Sequence, residues 1–235
     1  MQKLLIIKTG TTYPSIGKKV GDFDDFIINQ IGISRREVIV VSVYENKILP
    51  EPGEISAIII TGSHSMVTDL SDWSVYTSQW LRGISHKLIP TLGICYGRQL
   101  IAHAYGGVVD YHSEGEENGT VNIELTEAGK RDPLFKVLPS AFLGHALHAQ
   151  TVVKLPVNAH ILARNSFDPH QGFSLSNKVW GVQFHPEFNA EIVRMYIEEE
   201  KELLVQDGYD FDVLYRGVQE NPYGEILLKR FIELA

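Results

Sequence analysis

Short runs of consecutive apolar residues, rich in Ile and Val, recur along the first half of the chain and alternate with longer segments of mixed polarity. A short apolar run bounded by turn formers has no polar face, so it predicts a strand covered on both sides, as in a parallel sheet flanked by helices. On this pattern Leu4 to Ile7, Val38 to Val43, Ala57 to Ile60 and Leu88 to Ile94 are strands. Phe23 to Ile31, Trp73 to Ile84 and Gly97 to Ala104 are helices, the last stopped by the pair Gly106-Gly107. Beyond Gly107 the rhythm changes to alternation. Thr120 to Leu125, Ile161 to Arg164, Gly172 to Leu175 and Val179 to Phe184 predict partly exposed or antiparallel strands, so the sheet gains a mixed edge. From Asn189, a residue suited to an N-cap, the chain turns helical, with Ile192, Met195, Tyr196, Leu203 and Leu204 on an apolar side, and Pro222 opens a last helix. The fold class is α/β, with a mostly parallel central sheet and helices on both faces. No repeat, low-complexity tract or linker divides the chain, which predicts a single domain over residues 1–235, a core of about 3–190 with a helical extension from about 189.

Composition narrows the function classes. Hydrophobic residues make up 44% and charged residues 21%, enough for an ordinary buried core. Lys and Arg number 21 against 29 Asp and Glu, a net charge of −8, and no basic stripe is present. Nucleic acid and anionic membrane are therefore excluded as expected partners. The only cysteine is Cys95, so neither an internal disulfide nor a cysteine-based zinc site can form, and a reducing compartment is expected. The N-terminal apolar run of four is too short for a signal-peptide core and no run approaches bilayer length, which points to the cytoplasm.

The candidate chemistry lies first at Gly93-Ile94-Cys95-Tyr96-Gly97, where a strand runs straight into a helix. Such a turn needs small residues around the nucleophile and lifts Cys95 out of the sheet, with its sulfur at the helix N-terminus, where free amides and the dipole favour a thiolate. By itself it reads equally well as a small residue in a tight turn. A thiolate nucleophile needs a base and the base an orienting group. Both are available at Gly181-Val182-Gln183-Phe184-His185-Pro186-Glu187. Pro186 cannot join a sheet ladder, so His185 sits at or beyond the strand end, the same sheet edge as Cys95, with Glu187 placed to reach around to the imidazole. A third element, Ile58 to Ser65, is a buried strand ending in a glycine loop. It offers the Gly62 amide as a second oxyanion donor beside that of Tyr96.

Gly-Ile-Cys-Tyr-Gly-Arg-Gln, Gly-Val-Gln-Phe-His-Pro-Glu and the upstream Thr-Gly-Ser together resemble the class I, triad-type glutamine amidotransferases, including the glutaminase domain of GMP synthetase and the GMP-synthase-like group, over roughly residues 3 to 190. The resemblance implies a flavodoxin-like fold, with Cys95 as nucleophile, His185 as acid and base, Glu187 as orienting carboxylate, and Gly62 and Tyr96 as oxyanion donors. It further implies that Gln99, and on the substrate side His148, help to hold glutamine, and that neither metal nor cofactor is required. One departure is Leu147-His148-Ala149-Gln150, where the family carries Ser-His-Gly-Asp on the side facing the synthetase; His148 aligns and Gln150 replaces the acid. His64 stands where proline is common. After Glu187 only 48 residues remain, too few for a synthetase domain, so an acceptor enzyme is expected on a separate chain. Gly10 to Lys19 lacks the spacing and hydroxyl of a phosphate loop, Asp207, Asp210 and Asp212 lack that of a calcium loop, and His145 with His148 make a poor metal pair on a β-like stretch. Three functions stay open: a glutaminase serving a partner synthetase, a hydrolase of γ-glutamyl peptides or related small amides with the same triad, and a non-catalytic regulatory protein.

Overall fold

The computed structural model describes residues 2–235. Its strands are β1 (Lys3–Lys8), β2 (Val38–Ser42), β3 (Ile55–Ile60), β4 (Thr91–Ile94), β5 (Val108–Tyr111), β6 (Glu117–Leu125), β7 (Ala141–His148), β8 (Gln150–Lys154), β9 (His160–Arg164), β10 (Gly172–Ser176) and β11 (Val179–Val182). The helices are α1 (Pro14–Val20), α2 (Phe23–Ile31), α3 (Asp72–Ile84), α4 (Tyr96–Ala104), α5 (Ala190–Glu199), α6 (Lys201–Gln206), α7 (Phe211–Gly217) and α8 (Tyr223–Glu233). A nine-stranded sheet runs β2-β1-β3-β4-β11-β10-β9-β6-β7, and β5 pairs with β8 in a separate two-stranded sheet. The five strands β2, β1, β3, β4 and β11 are mutually parallel; from β11 outward every pairing is antiparallel. The antiparallel part is thus four strands wide, more than an edge.

Alternation along β1 and β3 sorts the core into two layers. Leu4, Ile6, Ala57 and Ile59 face α2 and α8 (Ile27, Ile28, Ile31, Leu227, Leu228, Phe231), whereas Leu5, Ile7, Ile58 and Ile60 face α3 and α4 (Leu81, Leu100, Ile101). Both faces are covered, which is why these strands carry no polar stripe. The expected helix starts are met by side chains that satisfy free amides: Asp22 and Asp25 form a capping box on α2, and Asn189 accepts from Ile192 N at the head of α5. Pro222 stands just before α8 as its N-cap. The strand expected from Leu88 begins only at Thr91, because Leu88 takes a left-handed turn (φ 52°) ahead of Pro90 and stays exposed. The segment containing Gly10 to Lys19 becomes α1, and α8 supplies Leu227, Leu228 and Phe231 to the central core. Among the described residues no helix is long and apolar enough to cross a membrane.

Candidate active site

β1, β3, β4 and β11 are parallel, so their C-terminal ends share one edge, where loops can converge. Cys95 follows β4 directly. Its amide still pairs with the sheet, donating to Val182 O at 2.8 Å, while its carbonyl accepts the first helical bond of α4 from Gln99 N at 3.1 Å. To serve both elements within one residue the backbone takes φ 51° and ψ −106°. That conformation is costly for a residue with a Cβ and occurs where surrounding structure enforces it. Enforcement comes from glycines on both sides: a Cβ on Gly93 would run into the Gly97 carbonyl, and one on Gly97 into the Ile60 carbonyl.

His185 lies three residues past β11. Its amide donates to His145 O at 2.7 Å, which pins the loop, and its Nδ1 is 2.8 Å from Glu187 Oε1. Both side chains are buried, and Glu187 Oε2 has no partner among the described residues. Burial opposes charge on the imidazole, but the Glu187 carboxylate and the Cys95 sulfur more than offset it, so the His185 pKa is pushed up to about 10. Sequence spacing gave no sign of a fourth contact: Phe188 stacks on the imidazole with ring centroids 4.3 Å apart and planes 16° from parallel. The Leu147 carbonyl of β7 lies 3.8 Å from Cys95 Sγ and closes the far side of the sulfur.

Gly62 is in the same place. A Cβ there would sit 2.9 Å from His185 Cε1 and 3.8 Å from Cys95 Cβ. Thr61 O accepts from Gly97 N at 3.2 Å and from Thr9 Oγ1 at 2.9 Å, so the trans peptide aims the Gly62 N–H the opposite way. Among the described residues neither that amide nor the Tyr96 amide at the head of α4 has an acceptor. The Tyr96 side chain points away, donating to Ser74 Oγ at 2.7 Å on α3.

The remaining expected residues divide. Gln99 is buried, and its Nε2 donates to Gln150 O at 2.7 Å and to Gln183 Oε1 at 3.2 Å, which leaves its own carbonyl oxygen on the cleft side. His148 also borders the cleft but turns both ring nitrogens inward, toward Gln150 O at 3.1 Å and Glu117 Oε2 at 3.0 Å. Its polar atoms are thus occupied by the protein. Gln150 holds the turn after β3, accepting from Val67 N and donating to Thr68 Oγ1. His145 contacts Thr120 and Asn221, so the two histidines of β7 have separate partners. His64 packs against Tyr13, Phe23 and Tyr196 at the cleft rim, where burial and then His185 hold its pKa below the usual histidine range. Beneath the nucleophile, Arg98 is fully buried, bonded to Gln183 Oε1 and the His170 carbonyl and paired with Asp168 at 3.4 Å. The cleft above Cys95 holds about 140 Å³. Among the described residues no three His, Cys, Asp or Glu side chains converge as metal ligands would.

Known proteins match this arrangement. The family model for class I glutamine amidotransferases covers residues 21–201. A GMP synthase of Porphyromonas gingivalis is 30% identical over 190 residues, 80% of this chain and 33% of that one. One of the separate chains of a glutamine-hydrolysing GMP synthase of Methanococcus aeolicus is 33% identical over 154 residues, 63% of this chain and 76% of that one. The chain spans about a quarter to a third of the length of most GMP synthases it matches, as with that of Thermosipho melanesiensis at 27%. In fold it is similar to a glutamine amidotransferase of Thermotoga maritima, with a TM-score of 0.79 at 23% identity over 100% of this chain and 98% of the other. With the model spanning most of the chain, including the Cys95 turn and the His185–Glu187 loop, the protein belongs to the class I glutamine amidotransferases.

Proposed function

We propose that the protein hydrolyses the side-chain amide of glutamine through Cys95, His185 and Glu187. The observation that carries this reading is the meeting, in one cleft, of a thiol on a left-handed turn and an imidazole whose other nitrogen is bonded to a buried carboxylate. Cys95 attacks the amide carbon and the oxyanion receives the Gly62 and Tyr96 amides. The C–N bond breaks as His185 gives its proton to the departing ammonia. His185 then takes a proton from water, which attacks the γ-glutamyl thioester and releases glutamate and the thiol. Gln99 helps to hold the substrate through its free carbonyl oxygen. His148 acts from behind, by fixing the Gln150 carbonyl to which Gln99 is also bonded.

We further propose that the ammonia serves an acceptor enzyme on a separate chain; the match to the Methanococcus aeolicus protein, itself one chain of a divided GMP synthase, supports this arrangement. Release of ammonia and glutamate from glutamine by the purified protein, lost in Cys95→Ala, is the expected result. Turnover unchanged by Cys95→Ala would refute the mechanism. A second reading, hydrolysis of larger γ-glutamyl amides, is favoured by one observation: the cleft continues past Cys95 to Asn118, Glu116 and Glu200, further than ammonia needs.

A further inference from the structure

The wall of the cleft that leads away from His185 is aromatic. Phe188 stacks on His185, Tyr196 lies 5.1 Å beyond Phe188, His64 lies 6.0 Å beyond Tyr196, and Tyr13 lies 4.6 Å beyond His64. The Tyr13 hydroxyl donates to Glu200 Oε1 at 2.9 Å, which brings the wall to a carboxylate. Because His185 is the group that protonates the departing nitrogen, whatever follows this wall is on the leaving-group side of the scissile bond.

The outer end of the cleft is negative. Glu116 and Glu200 line it, and among the described residues neither they nor the adjacent Glu199 forms an ion pair. Their hydrogen-bonding side-chain partners are neutral: Tyr13 for Glu200, Asn118 for Glu116 and Ser15 for Glu199. Burial, and then repulsion from Glu116 and Glu199, raises the Glu200 pKa. No Lys or Arg lines the cleft, and His64, with its lowered pKa, is neutral at neutral pH. Partly desolvated carboxylates at the end of a row of aromatic faces form a site that gains most from an alkylammonium group, which pairs with the acids and interacts with the rings.

On the reading of the triad given above, we infer that the cleft accepts γ-glutamyl amides of amines that carry a second, cationic nitrogen, the alkyl arm along Phe188 and Tyr196 and the ammonium at Glu200 and Glu116. The reaction balances as for glutamine: the C–N bond breaks, the amine leaves with the proton from His185, and water releases glutamate from the thioester.

The test compares kcat/KM for γ-glutamyl-1,4-diaminobutane, its uncharged isostere γ-glutamylpentylamine, and glutamine, in the wild type and in Glu200→Gln. Wild type is expected to prefer the diamine derivative to the pentyl isostere about tenfold or more, the size of one charge-assisted hydrogen bond, and Glu200→Gln is expected to erase most of that preference. Equal rates for the two amides in the wild type overturn the inference. So does a Glu200→Gln defect of equal size for all three substrates, since the carboxylate would then be reading the α-ammonium of the glutamyl group. Calorimetry on Cys95→Ala, with 1,4-diaminobutane against 1-aminopentane, reads the subsite without chemistry. Tighter binding of the diamine supports the inference and equal binding overturns it. If no γ-glutamyl compound is hydrolysed while the diamine still binds selectively, the glutaminase reading fails and the cation site stands.

Discussion

Each residue of the triad is held by something other than its catalytic neighbours: Cys95 by two glycines, His185 by the His145 carbonyl, Glu187 by burial. The charge on His185 depends on Glu187, the first of the groups that raise its pKa against burial. Removing that charge by Glu187→Gln is expected to move the alkaline limb of the kcat/KM profile from about 10 toward neutrality, by one to three units, as the loss of a close opposite charge does. An unmoved limb would mean that Glu187 only orients the ring. The same shift sets a stability trend. The folded pKa lies above the roughly 6.5 of an unfolded histidine, so this contribution is whole below that value and is lost as the pH rises toward 10. Gly62 makes a different prediction, because a methyl group 2.9 Å from His185 Cε1 displaces the ring and not the fold. Gly62→Ala is expected to lower kcat roughly 10²-fold, the usual cost of an ångström of misplacement, with little change in the melting temperature. At this scale the sequence was legible where chemistry demands a residue type at a fixed offset, as at Cys95, His185 and Glu187. It was silent on Phe188 and on the Leu147 carbonyl, whose roles come from packing and backbone position, which a side-chain motif does not encode.

Among the elements, the contact between α4 and the strands beneath it matters most to the site, since it sets the height of Cys95. With no room for a Cβ between Gly97 and the Ile60 carbonyl, Gly97→Ala has to lift the helix. An expected cost of about 3 kcal/mol corresponds to a fall of roughly 6–12 °C in melting temperature for a domain of this size. Calorimetry checks it, and an unchanged transition would show that the helix can ride outward freely. The parallel strands and α2, α3 and α4 could be read from the chain because burial on two faces, or on one helical stripe, leaves a strong pattern. The elements that escaped were those without such a pattern. α1 spans seven residues and buries only Ile16, β5 buries only Val109, and α7 buries none. β7 carries Gly144 and two buried histidines, so a strand at the heart of the site reads as polar.

At the scale of the whole molecule, α8 is attached to the active site although it is remote from it in sequence. Its Leu227, Leu228 and Phe231 enter the central core, Phe231 meets Trp180 of β11 edge to face, and Gly224 abuts the Pro186 carbonyl between His185 and Glu187. A protein truncated before Pro222 is therefore expected to lose cooperative unfolding, or to keep it with little activity. Circular dichroism and turnover measured together distinguish these outcomes from a dispensable tail, which would leave both unchanged.

β11 is the seam of the large sheet, parallel to β4 on one side and antiparallel to β10 on the other. Its pairing with β4 joins residues 91–94 to 179–182, and that single registration brings the cysteine loop and the histidine loop together. Closing so long a loop is slow compared with forming local helices and hairpins. In a refolding experiment, helical signal should return before catalytic competence, and the regain of turnover should keep time with the last kinetic phase rather than the first.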